Sequence, residues 1–483
     1  MFSKKKIGIN SKAKELIKNF YYVILSNLIS VFISIVVILF VPKFIGVEEY
    51  GYWQLYILYT SFVGLLHFGW NDGLYLRYGG RDYNQIDKKL FSSQFYLLFI
   101  SQLILALVGF IVFYNLNFDT NKLYVLYMTM ICMVIVNIRY MLLFLLQATY
   151  RIKEYSIITI FDRVLYFILI ILLLLSNTES FKYLIWVDVI GKLVSLLLAI
   201  YYCSDIVLRF TSKGKIKLSI AINEALENIR VGIKLMLSNI ASKLIVGNVR
   251  LGIETIWNVA VFGKVSLMLS ITTFILVFIN AVSLVLFPFL RKVDENVLAK
   301  LYKSIREVLT LILLLFLFSY FPIKLFLEVW LPEYSDSLRY LLGLYPVIIF
   351  EGKMSLLINT YLKVLRKEAV LLKINLLTFI VSILTTFVSV FLFKSIDIAI
   401  YTILFLSFFK SFLAELYIQD LLSINLWSSF LKEISIIAVF ISANIFLDDI
   451  YSLLMYAVTI VCYLFFSAKY LKDSFKFFRL SAT

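Results

Sequence analysis

Seven basic side chains lie where the 483-residue chain is otherwise almost wholly apolar: Arg139, Arg163, Lys192, Lys243, Lys264, Lys353 and Lys410. At roughly 2.5–3.5 kcal/mol for each charge at the centre of a membrane-crossing helix, their combined cost approaches 20 kcal/mol if they face lipid. Each must therefore face protein or water, where an ammonium or guanidinium can hold a phosphate-like anion. The acids in the same stretches are fewer, Asp162, Asp188, Glu351 and Glu415. Asp188 and Lys192 stand four residues apart and can neutralise one another on one helix face. The other cations have no partner within their own helix. Binding of an anion, with no bond made or broken, is the chemistry these residues suggest.

The cations have to be carried by helices. At 100° per residue, Asn239, Lys243 and Arg250 fall within about 40° of one another and make a polar stripe along one wall. For Arg163, Arg250 and Lys410, snorkelling to a membrane interface is an alternative reading. Leu25-Ser26-Asn27-Leu28-Ile29-Ser30 returns as Leu237-Ser238-Asn239-Ile240-Ala241-Ser242, an offset of 212 residues, and the same frame lays Tyr50-Gly51 on Phe262-Gly263. The segment repeating the stripe's helix carries Asn27, Ser30 and Ser34 on one face. Two related halves, each with a polar first helix, are the arrangement that a central cavity for an anionic substrate requires.

The surroundings are those of a membrane protein. The chain is 62% hydrophobic with 5 Pro, well above the roughly 45–50% apolar content of soluble domains. Apolar runs long enough for a helix to cross about 30 Å of hydrocarbon recur from end to end, and stretches such as 31–41 and 168–175 lack the period-two alternation of a membrane β-barrel. An all-α integral membrane protein of about fourteen spans is expected. Its parts are an N-terminal lobe over 1–203, a cytoplasmic linker over 204–231 with an amphipathic helix at Ile216–Ile229, a second lobe over 232–418, and spans 13 and 14 with a basic tail over 419–483. Six spans before the linker make the lobes parallel, related by an axis along the membrane normal. The 46 Lys and Arg collect in alternate connections, about 32 on one side against about 7 on the other, which places both termini in the cytoplasm. The lysine-rich N-terminus leads into an apolar run long enough to span, so no cleaved signal is expected.

Several chemistries are disfavoured. Cys132, Cys203 and Cys462 have no paired spacing and read as packing residues. His67, the single histidine, shares a helix face with Thr60, Gly64 and Asn71 and reads as a packing residue sooner than a proton relay. The chain contains no Walker A loop, dinucleotide fingerprint, metal-binding cluster or nucleophile–base pair, so ATP hydrolysis, a cofactor and enzymatic activity are not expected. The basic charge answers to the inner membrane face and not to nucleic acid. Glu48 and Glu49 read as a pair at a helix N-terminus, where carboxylates complement the dipole. The outer connections, the longest at roughly 328–337, are too short for the outer domain that a membrane polysaccharide polymerase or glycosyltransferase needs.

Val41-Pro42-Lys43-Phe44-Ile45-Gly46-Val47-Glu48-Glu49-Tyr50-Gly51-Tyr52-Trp53 resembles the N-terminal signature of the polysaccharide-biosynthesis flippases. Looser likenesses follow at Gly69 to Arg77, at Gln147-Ala148 with Arg151 and Tyr155, and at Phe287-Pro288 with Arg291. Those proteins belong to the multidrug/oligosaccharidyl-lipid/polysaccharide exporter superfamily. The resemblance implies translocation of undecaprenyl-pyrophosphate-linked oligosaccharide repeat units, for O-antigen, capsule or a related polymer, to the outer leaflet of the bacterial cytoplasmic membrane. It also implies membrane lipids and polysaccharide polymerase machinery as partners. A cation-coupled multidrug exporter of the same fold is the alternative. That reading expects an acid-lined cavity, whereas bases outnumber acids in these spans.

Overall fold

The computed structural model describes residues 29–176, 178–208, 217–290, 293 and 295–481. Among these the chain is all helical, and it divides into two compact units, Met1–Lys243 and Leu244–Thr483. Nine described helices are long and apolar enough to cross a bilayer. A tenth candidate is the pair Pro332–Leu344 and Val347–Val364, bent by 47°.

The first unit contains α1 (Ile29–Phe44), α2 (Val47–Thr60), α3 (Trp70–Tyr78), α4 (Lys88–Tyr114), α5 (Thr120–Ala148), α6 (Ile152–Leu175), α7 (Phe181–Tyr202) and the single turn α8 (Ser204–Val207). α5 is its axis. The apolar stretch of α5 is 72% buried against 22% for α4 and 17% for α6, and α2, α3, α4 and α7 all pack on it. The start of α5 is held by Asp119, whose carboxylate accepts the Lys122 N–H at 2.8 Å, as N-capping asks. Glu48 and Glu49 sit in the first turn of α2. Glu49 also accepts the Phe181 N–H at 2.7 Å, so one carboxylate serves the starts of two helices.

The expected second span, 53–71, is broken. α2 stops at Thr60, a 3₁₀ turn covers Val63–His67, and Phe68 and Gly69 take left-handed backbone at φ 53° and 83° before α3 begins. A second correction concerns the linker. α9 (Leu218–Ile256) is one uninterrupted helix, so the amphipathic stretch and the expected span 7 are a single rod, and the division between the compact units falls inside it. At 1.5 Å per residue its 39 residues reach beyond the hydrocarbon thickness.

The second unit continues with α10 (Val259–Leu290), α11 (Glu295–Phe316), α12 (Tyr320–Trp330), α13 (Leu338–Leu344), α14 (Val347–Lys353), α15 (Asn359–Val364), α16 (Glu368–Thr386), α17 (Ile396–Leu422), α18 (Trp427–Phe446) and α19 (Asp449–Ser481). Widened π-helical turns interrupt it at Met354–Ile358 and Phe387–Leu392. α14 packs against α10, α11 and α17, and α19 against α11 and α18.

In the first unit α3 and α9 meet at backbone distance. A Cβ on Gly73 would lie 1.8 Å from the Asn228 carbonyl oxygen, and one on Gly232 would lie 2.0 Å from that of Gly69. Small residues permit such an approach, which substitutes for hydrophobic driving force between membrane helices. Gly73→Ala is expected to force the helices apart and cost about 3 kcal/mol or more, read as a lowered melting temperature in detergent. Gly46→Ala is the control, because nothing lies within 4 Å of its Cβ position.

Candidate functional site

Most of the expected cations are paired with carboxylates, Lys192 within its own helix and the others across helices. Arg139 of α5 donates to Asp162 of α6 at 2.6 Å and to the Ser195 hydroxyl of α7 at 3.1 Å. Lys192 is bonded to Asp188, which also accepts the Tyr56 hydroxyl at 2.7 Å. In the second unit Lys264 lies 2.7 Å from Asp336, and Lys410 lies 3.3 Å from Glu351.

Lys353 requires a correction. It was expected on a cavity wall, but it is 1% exposed and enclosed, with Glu415 at 3.0 Å and Glu433 at 2.8 Å. Arg306 completes the cluster, donating to Glu415 at 2.7 and 3.1 Å and to Glu433 at 3.3 Å. Glu307 stands 4.0 Å from the Arg306 guanidinium and accepts the Ser429 hydroxyl at 2.6 Å. Charges excluded from water in this way need one another, and removing a partner leaves an uncompensated ion. Sequence reasoning missed Arg306, Glu307 and Glu433, which stand near the ends of expected spans where charge attracts no notice. The cluster joins α11, α14, α17 and α18, so it binds the penultimate helix to the body of the second unit.

The remaining candidates differ. Asn27 lies outside the described residues. Ser30 is half-buried on α1, its carbonyl accepting the Ser34 hydroxyl at 2.8 Å. Arg163 is exposed on α6. Arg250 donates to the Ser266 hydroxyl at 3.0 Å and lies 5.3 Å from the Phe262 ring centre. Asn239 and Lys243 are both exposed, one helical turn apart on α9. The Lys243 ammonium donates to the Ser61 carbonyl at 3.2 Å, and among the described residues no carboxylate pairs with it directly.

Ser61 is where α2 ends, so Lys243 sits at the break in the second span. A broken helix frees carbonyls that lipid cannot satisfy, and such breaks persist only inside protein or beside a polar cavity. Here α4 and α5 supply the donors. Gln102 bonds the Leu66 carbonyl at 3.0 Å, and Asn137 bonds the Val63 carbonyl at 3.0 Å and the Gln102 side-chain oxygen at 2.8 Å. Asn71 donates to the Asn137 carbonyl at 2.8 Å. His67 is buried, its Nδ1 accepting the Gly69 N–H at 3.1 Å while Nε2 lies 3.7 Å from Asp72. The break is rigidly built, and Lys243 offers an exposed cation beside it. Two grooves in the second unit, one along Tyr401, Phe405 and Ile434 and one along Asn248, Gly252 and Phe387, contain none of the candidate cations.

The helix count and the charges held within the spans are those of a multi-pass membrane protein. No family model and no curated protein matches the sequence. Solved structures do match the fold. A lipid II flippase, MurJ, in an inward closed conformation superposes with a TM-score of 0.65 at 12% identity, covering 95% of this chain and 99% of that one. An inward-facing multidrug resistance MATE transporter of the MOP superfamily gives 0.55 at 13% identity, covering 82% and 98%. A MOP superfamily transporter from Pyrococcus furiosus, described as having a binding pocket of reversed polarity, gives 0.51 at 11% identity, covering 84% and 96%. The chain has the fold shared by these solved structures.

Proposed function

We propose that this protein flips a lipid-linked oligosaccharide from the inner to the outer leaflet of a bacterial cytoplasmic membrane, with both termini in the cytoplasm. The lipid tail stays in the bilayer while the pyrophosphate and sugars pass along a polar path in the protein. The observation that carries this reading is Lys243, an exposed cation at the break of the second span, with Asn239 one turn away. An ammonium of this kind can dock a phosphate oxygen and release it again, because it is not locked in a carboxylate fork. The likeness to a lipid II flippase over nearly the whole chain supports the same class of cargo. Undecaprenyl pyrophosphate as the carrier, O-antigen or capsule as the product and a polymerase as partner are what the resemblance of Val41–Trp53 to the polysaccharide-biosynthesis flippases implies.

A cation-coupled drug exporter shares the fold and would need carboxylates available to bind a cation. Asp162, Asp188, Glu351 and Glu415 are each already bonded to Arg or Lys, which favours the anionic cargo. Lys243→Ala is expected to lower flipping of a labelled lipid-linked oligosaccharide at least tenfold while leaving the protein folded and inserted, and Lys243→Arg is expected to retain most of the rate. Undiminished flipping by Lys243→Ala would remove the residue from the path.

A further inference from the structure

The seam between α3 and the first half of α9 is built to part. Its α9 side is a stripe of small or polar residues, Ala221, Ala225, Asn228 and Gly232, all buried. Opposite them stand Gly69 and Gly73, whose spacing brings the two backbones together. At the crossing itself small residues face one another on both sides, so parting it strands little hydrocarbon surface there.

What closes the seam is polar. Arg77, at the end of α3, donates to both carboxylate oxygens of Glu224, at 2.8 and 3.2 Å, and to the Asn228 side-chain oxygen. This is a two-pronged charge-assisted fork, directional and strong yet only partly desolvated, with Arg77 31% and Glu224 16% exposed. The Asn228 side-chain nitrogen is fully buried without an acceptor. An unpartnered buried donor penalises the closed seam, and water would relieve it on opening. Gln94 of α4 bridges the two helices beside it, accepting the Trp70 indole N–H of α3 at 3.1 Å and donating to the Ala221 carbonyl of α9 at 2.8 Å.

We infer that the Arg77–Glu224–Asn228 fork is a latch over this glycine crossing, shutting the cytoplasmic end of the transport path when made and releasing it when broken. The end is assigned from the basic connections, and the inference rests on the transport reading. The mechanical link is α9 itself. It runs without interruption from Leu218 to Ile256, and the residues after Lys243 belong to the second unit. A rigid rod cannot follow the second unit through a conformational change while its first half stays fixed to α3.

The test places a cysteine at Ala225 in full-length protein carrying Cys462→Ser; the other cysteines, Cys132 and Cys203, are buried. Labelling by a membrane-impermeant maleimide in inside-out vesicles is expected to be slow. Arg77→Glu should speed it at least tenfold, and Arg77→Glu combined with Glu224→Arg should slow it again. Glu224→Gln, a milder change that retains shape, should give an intermediate rate and covers the case in which Arg77→Glu misfolds. Labelling unchanged by Glu224→Gln in folded protein, or charge exchange that fails to restore protection, would overturn the latch. Because labelling needs no substrate, a latch that responds in a protein that moves no lipid-linked oligosaccharide would refute the cargo and not the latch.

Discussion

Arg306→Met is expected to cost about 3–5 kcal/mol of stability, seen as a large drop in melting temperature and in recovery of monodisperse protein from detergent. Arg306 is fully buried and contacts three carboxylates, Glu415, Glu433 and Glu307. Its removal leaves Lys353 as the one remaining cation in the cluster. Carboxylates lacking a partner in a medium of low dielectric repel one another and have no water to turn to. The sign of this account can be checked by a second change. Adding Glu415→Leu to Arg306→Met removes one orphaned anion and should recover part of the loss, so the double variant is expected to be more stable than the single. If the two changes add simply, the cluster is not an electrostatic unit. On the same grounds Lys353→Ala is expected to reduce folded protein and not to impair flipping selectively.

The second large effect concerns the driving force. A pyrophosphate diester carries about two negative charges. Moving them outward across an inside-negative membrane is favoured by roughly 2.3 kcal/mol per charge per 100 mV, or roughly 4.6 in all if nothing compensates them. The pairing of Arg139, Lys192, Lys264, Lys353 and Lys410 with carboxylates leaves little positive charge free to offset the substrate's own. Export is therefore expected to need no ATP. In vesicles of this protein, an inside-negative potential should accelerate outward flipping at constant pH and sodium. A rate indifferent to potential in either direction would show that the head group crosses with its charge compensated.

Hydropathy made the membrane class legible, because apolar runs of spanning length leave few alternatives. Periodicity was informative within a helix and silent between helices. It placed Asp188 beside Lys192, and it put Asn239 and Lys243 on one face. It gave no access to the partnership of Arg139 with Asp162, of Lys264 with Asp336, of Lys410 with Glu351, or of Lys353 with two glutamates, since each of those depends on which helices become neighbours. The break at Ser61–Gly69 was hidden for a related reason. Its residues are apolar enough to continue a span, and the Asn137 and Gln102 side chains that make the break tolerable come from distant positions. The continuity of α9 was obscured by composition, because the polar residues of 216–229 suggested a surface helix separate from span 7, although no Pro or Gly interrupts 218–231. Lys243 was legible as a cation on a polar stripe, while its seat against the Ser61 carbonyl was not.

The central claim, that this chain carries a lipid-linked oligosaccharide across the bilayer, is tested most directly in vesicles containing only this protein and a fluorescent lipid-linked oligosaccharide, with an added glycosidase or quencher reporting the exposed leaflet. The account predicts movement between leaflets well above that in protein-free vesicles, without nucleotide, and reduced at least tenfold by Lys243→Ala. Movement no faster than in empty vesicles, from folded protein of confirmed orientation, would contradict it.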